Sequence, residues 1–159
     1  MLVKSHIIIG AIISTILYLI FQLTPLQTLI IFLASFLIDV DHYLYYILTK
    51  KSLSLKKAHN WFFERRKAWL KLSHKKRKKG KRTILLFHSV WLIILLIILS
   101  YIHSIFLFIL IGILIHLTLD YIELIYLKEP LYPKLFPIYV SISNKKKKEL
   151  LDSIEDIFN

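Results

Sequence analysis

The chain has 159 residues, a net charge of +12 and a 57% share of hydrophobic residues, with a mean hydropathy of +0.62. An ordinary soluble domain lies near ~45–50% apolar. Cysteine is absent, which excludes disulfides and thiolate metal sites.

Four apolar runs carry the excess, at residues 3–23, 26–48, 84–102 and 104–127. Each reaches or nearly reaches the ~20 residues that a helix needs to cross a bilayer. The expected fold class is all-α, a single integral membrane domain over residues 1–159. It would have four transmembrane helices in two hairpins, an interfacial amphipathic helix and a short C-terminal helix. The first run is not expected to be a cleaved signal peptide. It is too long for an h-region, lacks a small-residue cleavage site and contains His6. Pro25 breaks the chain between runs one and two, and SYIHS joins runs three and four around His103.

Fifteen of the 22 Lys and Arg lie between Lys50 and Arg82; the rest are Lys4, Lys128, Lys134 and Lys145 to Lys148. The connections QLTPLQ and SYIHS contain none. Under the positive-inside rule this predicts a multi-pass protein of the cell (inner) membrane with both termini cytoplasmic. Residues 50–82 and 128–159 are then cytoplasmic.

In SLKKAHNWFFERRKAWLKL, Leu55, Ala58, Phe62 and Trp69 recur near helical spacing with basic residues between them. That pattern predicts a helix in the headgroup plane, with Lys56, Lys57, Arg65 and Arg66 meeting anionic lipid headgroups. The following SHKKRKKGKR reads as a mobile loop, since its like charges repel. EPLYPKLFPIYV has Pro130, Pro133 and Pro137 and reads as non-helical. The tail offers Ser143 or Asn144 as an N-cap, then Leu150, Leu151, Ile154 and Ile157 on one helical face.

The apolar runs also contain His6, Asp39, Asp41, His42, His88, His116, Asp120 and Glu123. One carboxylate at the bilayer centre costs roughly 2.5–3.5 kcal/mol on insertion scales, so these groups should face the bundle interior and have partners. Counting ~1.5 Å per residue from the outer ends puts His6, Asp39, His42, His88, His116 and Asp120 at one depth, about 18–25 Å down. His116, Asp120 and Glu123 share one stripe of their helix, and Asp39 and His42 share another. Asp41 faces elsewhere if its helix is regular. It would then hold an imidazole from behind, or the helix is bent there.

Imidazole and carboxylate donors without thiols suit a divalent metal: zinc first, with manganese or iron as alternatives. Up to seven candidate ligands allow one or two ions, and a two-metal site suits phosphoester hydrolysis. Asp–His hydrogen bonds that only fix helix packing are the structural alternative.

In order and spacing, HIIIG (His6, Gly10), DVDH (Asp39, Asp41, His42), HS (His88, Ser89), HLTLD (His116, Asp120) and LYP (Leu131 to Pro133) resemble the YdjM-like family of membrane-bound metal-dependent hydrolases. The resemblance covers most of the chain up to about residue 140 and implies that His6, Asp39, His42, His88, His116 and Asp120 are metal ligands. Asp41 or Glu123 would act as general base or hold a ligand in place. Family members tend to carry a His-Arg pair shortly before HS; GKRTILLFHS offers Arg82 but Thr83, so that His is missing or replaced, and Glu123 has no family counterpart.

The leading functional expectation is a membrane-embedded hydrolase with its site at the cytoplasmic leaflet, acting on a phosphoester or lipid. The alternatives are a proton or divalent-cation transporter, and a non-enzymatic membrane-anchored protein that binds through its basic loop. Expected partners are membrane lipids with anionic headgroups, without specific nucleic acid.

Overall fold

The computed structural model describes residues 3–145 and residue 147. The helix expected around Leu150, Leu151, Ile154 and Ile157 lies outside the described residues. Among those described the chain is helical and has no strand.

Helix α1 (Val3–Phe21) ends at Gln22, whose φ of 50° turns the chain back. Helix α2 (Pro25–Leu37) starts at once, because TPLQ supplies every element of a capping box. The Thr24 hydroxyl accepts from the Gln27 backbone N–H at 3.3 Å, and Gln27 Oε1 accepts from the Thr24 N–H at 2.8 Å. Pro25 occupies the first turn, where no N–H is needed. A two-residue turn at Ile38 and Asp39 separates α2 from α3 (Val40–Lys50).

Helices α6 (Val90–Ile102) and α7 (Ile105–Tyr126) form the second apolar pair. Among the described residues three stretches are long and apolar enough to cross a membrane: Val3–Phe21, Pro25–Lys50 and Ile105–Tyr126. Helix α6 has 13 residues, a length of about 20 Å against a hydrocarbon thickness of ~30 Å. The run expected to be helical over 84–102 is therefore helical only from Val90. The backbone before it serves Asp41 instead, through the Phe87 N–H.

Helix α7 packs along α2 and also touches α1 and α6, while α1 runs along α2. Two glycines permit the closest approaches. A Cβ at Gly112 would lie 2.4 Å from the Ile31 carbonyl oxygen and 2.6 Å from Ala34 Cβ, and one at Gly10 would lie 2.1 Å from Ser35 Oγ. Small residues at such contacts are how helices pack where lipid removes the hydrophobic drive. Ile38, Leu96, Leu110, Ile113 and Leu117 form the buried apolar cluster. Leu19, Phe21, Leu26 and Ile102 remain exposed on the outside, a surface suited to lipid tails rather than water.

The basic segment departs from expectation. Its first part is helix α4 (Leu55–Lys71), started by the Ser54 hydroxyl accepting from the Lys57 N–H at 3.3 Å. Ala58 is buried, Trp61 packs on Tyr46, and Phe62 meets His42 edge-on. Leu55, expected on the same face, is exposed. The segment expected as a mobile loop contains a short helix, α5 (His74–Lys79), and is tied down. Buried Glu129 pairs with Arg77 at 3.0 Å and with Arg82 at 2.6 Å, so two of the repelling cations have a counter-charge from a distant part of the chain. Asn144 adds a reciprocal pair with the Arg82 backbone, at 2.9 and 2.8 Å.

The proline-rich stretch forms two short helices, α8 (Tyr132–Leu135) and α9 (Pro137–Asn144). Pro133 and Pro137 each sit in a first turn, where proline is accommodated.

Candidate metal centre

Four parts of the chain deliver the buried polar groups to one place: His6 from α1, Asp39, Asp41 and His42 from the α2–α3 junction, His88 from the segment before α6, and His116 and Asp120 from α7. His6, His88, His116 and Asp120 are at most 1% exposed. His42 is the most accessible of the group, with 31% of its side chain exposed.

The α2–α3 turn resolves the position of Asp41. In a regular helix two residues apart means about 200° of rotation, so Asp39 and Asp41 could not serve one site. With the turn, both do. Asp39 Oδ1 lies 3.5 Å from His42 Nε2, 3.6 Å from His88 Nε2 and 3.5 Å from His116 Nε2. Asp41 Oδ2 lies 3.0 Å from His88 Nδ1 and accepts the Phe87 N–H at 3.2 Å.

On α7, the i, i+4 spacing brings His116 Nε2 to 3.1 Å from Asp120 Oδ2. Asp120 also approaches His6 Nε2 at 3.4 Å and His88 Nε2 at 3.5 Å. The His6 ring stacks on His116 with centroids 3.9 Å apart.

Hydrogen bonding assigns the tautomers. His116 Nδ1 lies 2.9 Å from the Ser35 carbonyl, which can only accept, so Nδ1 carries the proton. His88 Nδ1 donates likewise to the Asp41 carboxylate. In their neutral forms both rings then present bare Nε2 lone pairs, and these two atoms face each other at 3.1 Å. Two lone pairs do not hydrogen-bond; a cation between them, proton or metal, makes the contact favourable. This is how metal-ligating histidines are oriented, the far nitrogen being held by a carbonyl or carboxylate.

The residues present fit a divalent ion. Among the described residues three groups have ligand atoms within 4.8 Å of one another: His6, Asp39 and His116; Asp39, His42 and His88; and His88, His116 and Asp120. Fully buried His6 has no partner at Nδ1, and its Nε2 meets the Asp120 carboxylate at 3.4 Å without hydrogen-bond geometry, an under-satisfied state that buried polar groups rarely show. The donors are nitrogen and oxygen only, a set that suits zinc, manganese or iron.

The chain matches the family described as YdjM inner membrane protein over residues 1–151. It belongs to that family. No curated protein and no solved structure matches it. The motifs of this YdjM-family chain that resemble the family converge in the buried group, with HS contributing through His88 and LYP through the helix that begins beside it.

That helix supplies a site residue that the sequence marks only as one of its basic charges. Lys134 of α8 donates to Asp120 Oδ2, placing an ammonium directly on the buried carboxylate. Its signal in the sequence was adjacency to LYP, although charge distribution alone had already accounted for it. Glu123 is in none of the three groups; its carboxylate pairs with Arg66 of α4.

Beside the group lies a cavity of about 240 Å³, with His42 and Lys134 in its wall. Arg65, Arg66, Lys81 and Arg82 also line it, with Phe62, Trp69 and Leu85 among its apolar residues. Of the four expected headgroup ligands, Arg65 and Arg66 therefore reach the cavity, while Lys56 and Lys57 are exposed and do not line it.

Proposed function

We propose that this YdjM-family chain is a membrane-embedded, metal-dependent hydrolase of phosphoesters, working at the cytoplasmic leaflet. The opposed Nε2 atoms of His88 and His116, 3.1 Å apart with both Nδ1 atoms engaged elsewhere, carry the reading. His6, Asp39, His42, His88, His116 and Asp120 would hold the ion, zinc before manganese or iron, with room for one or two. A divalent ion there would supply the positive charge that acidifies a water and polarises a phosphoryl oxygen.

The protein's own groups do the rest. Asp41 fixes the His88 ring from behind, and the Ser35 carbonyl does the same for His116. Lys134 stands between the buried carboxylates and the cavity, where its ammonium can neutralise an incoming anion. Arg66 and Arg82, which also line the cavity, would orient that anion. His42, the partly exposed member, forms the boundary between the group and the cavity. Phe62, Trp69 and Leu85 give the cavity an apolar part of its wall.

In this arrangement the end bearing α4 and α5 faces the cytoplasm, as the basic residues require. Helix α4 lies in the headgroup layer, α6 serves as a short fourth span, and both ends of the chain are cytoplasmic. The test is elemental analysis of the purified full chain, followed by assays of phospholipid and lipid-phosphate hydrolysis. Stoichiometric metal is expected, with loss of metal and activity in His116→Ala and Asp120→Asn. A metal-free wild type, with both variants unchanged in activity and stability, would sink the proposal.

A further inference from the structure

The cavity wall has a chemistry that the hydrolase reading leaves open. Among the described residues five basic side chains line it, Arg65, Arg66, Lys81, Arg82 and Lys134, and no carboxylate does. We propose that the cavity is a headgroup site for a lipid phosphomonoester, with the phosphoryl group among these cations and the acyl chains outside in the bilayer. The inference deepens the reading above and relies on it for the catalytic group next door.

The cations are held in place before any ligand arrives. Arg82 stacks over Trp69 with its guanidinium 4.7 Å from the ring and pairs with Glu129 at 2.6 Å. Arg65 lies 4.9 Å over Trp61, and Arg66 and Lys134 are paired with Glu123 and Asp120. Planar guanidinium groups fixed this way match phosphate oxygens in pairs. Lys134 touches both the cavity and Asp120, so an anion seated here lies against the buried group.

The same wall disfavours a headgroup that ends in an amine. An ammonium is recognised by carboxylates or by open aromatic faces. Among the described residues no carboxylate is in the lining, and the Trp69 face is already covered by Arg82. A phosphomonoester, with up to two negative charges and no cation, is the headgroup that fits.

A lipid source follows from size and surroundings. At about 240 Å³ the cavity is smaller than the ~300–1,000 Å³ that encloses a drug-sized ligand. It can take a headgroup but not its chains. Leu86 and Phe87, next in the chain to wall residue Leu85, are 64% and 37% exposed, and Leu131, next to wall residue Pro130, is 38% exposed. These give acyl chains an apolar surface beside the cavity.

The experiment uses the full chain in a neutral detergent, once with chelator and once with added zinc. Binding of short-chain phosphatidic acid, phosphatidylethanolamine and glycerol 3-phosphate is measured, together with any hydrolysis. Phosphatidic acid should bind about tenfold or more tighter than the other two, and Arg65→Gln should weaken it by a similar factor, the scale of losing one charge-assisted hydrogen bond. Lys78→Gln with Lys79→Gln, on the exposed side of α5, should bind like wild type. Equal binding of phosphatidylethanolamine overturns the proposal, as does glycerol 3-phosphate binding as tightly as the lipid, or an equal loss in the Lys78 and Lys79 variant. Should Arg65→Gln fail to fold, the three ligands on wild type still decide. Selective binding in chelator without hydrolysis in zinc would uphold the headgroup site and remove the hydrolase reading alone.

Discussion

His88 and His116 meet through Nε2 atoms 3.1 Å apart, while their Nδ1 atoms are committed to Asp41 and to the Ser35 carbonyl. A divalent ion at this contact would bind only the folded chain, because His88 precedes α6 and His116 lies 28 positions away on α7. Zinc at 100 times its dissociation constant should therefore add about 2.7 kcal/mol of stability. Thermal melts in detergent should show a higher midpoint with zinc than with chelator. Identical midpoints would point to a proton rather than a metal between the rings.

Asp41 acts on any ion through the His88 ring. Asp41→Asn removes the carboxylate that fixes the tautomer, and zinc affinity should fall about 10–100-fold. Competition with a chromogenic chelator reads this directly. Unchanged affinity would mean that His88 is not a ligand.

Glu123 is held by Arg66 outside the three ligand groups. Glu123→Gln should leave metal content unchanged, whereas Asp120→Asn should lower it. Elemental analysis of the two variants side by side gives the comparison.

Gly112 faces backbone that cannot step aside. Gly112→Val puts atoms where the Ile31 carbonyl and Ala34 already are, and should destabilise by about 1–3 kcal/mol or more through overpacking. Gly10→Ala meets the Ser35 hydroxyl, a side chain able to rotate, and should cost less. Melting temperatures of the pair should keep that order.

Glu129 is the shared counter-ion of Arg77 and Arg82, and all three are largely buried. Glu129→Gln strands two cations, at a cost of about 3–5 kcal/mol by analogy with other broken buried pairs. Limited proteolysis should then cut within residues 73–82, where wild type resists.

The sequence made the convergence legible because depth depends only on counting. His6, Asp39, His42, His88, His116 and Asp120 fall at similar distances from the outer ends of their runs, and the structure brings them together. Local geometry was harder to see. FLIDVDHY has no glycine or proline to mark a turn, and only the azimuth of Asp41 left a bend open as an alternative; the break at Ile38 and Asp39 answers to Asp41 reaching the Phe87 N–H and His88, residues some 46 positions away. Hydropathy also hid the non-helical residues before Val90, since apolar side chains look alike in either conformation. The order of residues 73–82 depends on Glu129, and no local pattern announces a partner so distant.

The apolar lengths of α6 and α7 have one more implication. From Leu92 to Leu99, and again from Ile105 to Ile115, no polar side chain occurs. In the proposed orientation these two helices offer no polar path from the outer face, so a substrate of the proposed site would enter and depart by the cavity mouth. Turnover would then draw on a single leaflet's pool, replenished by sideways diffusion, and molecules in the opposite leaflet would need another protein to flip them before they could react.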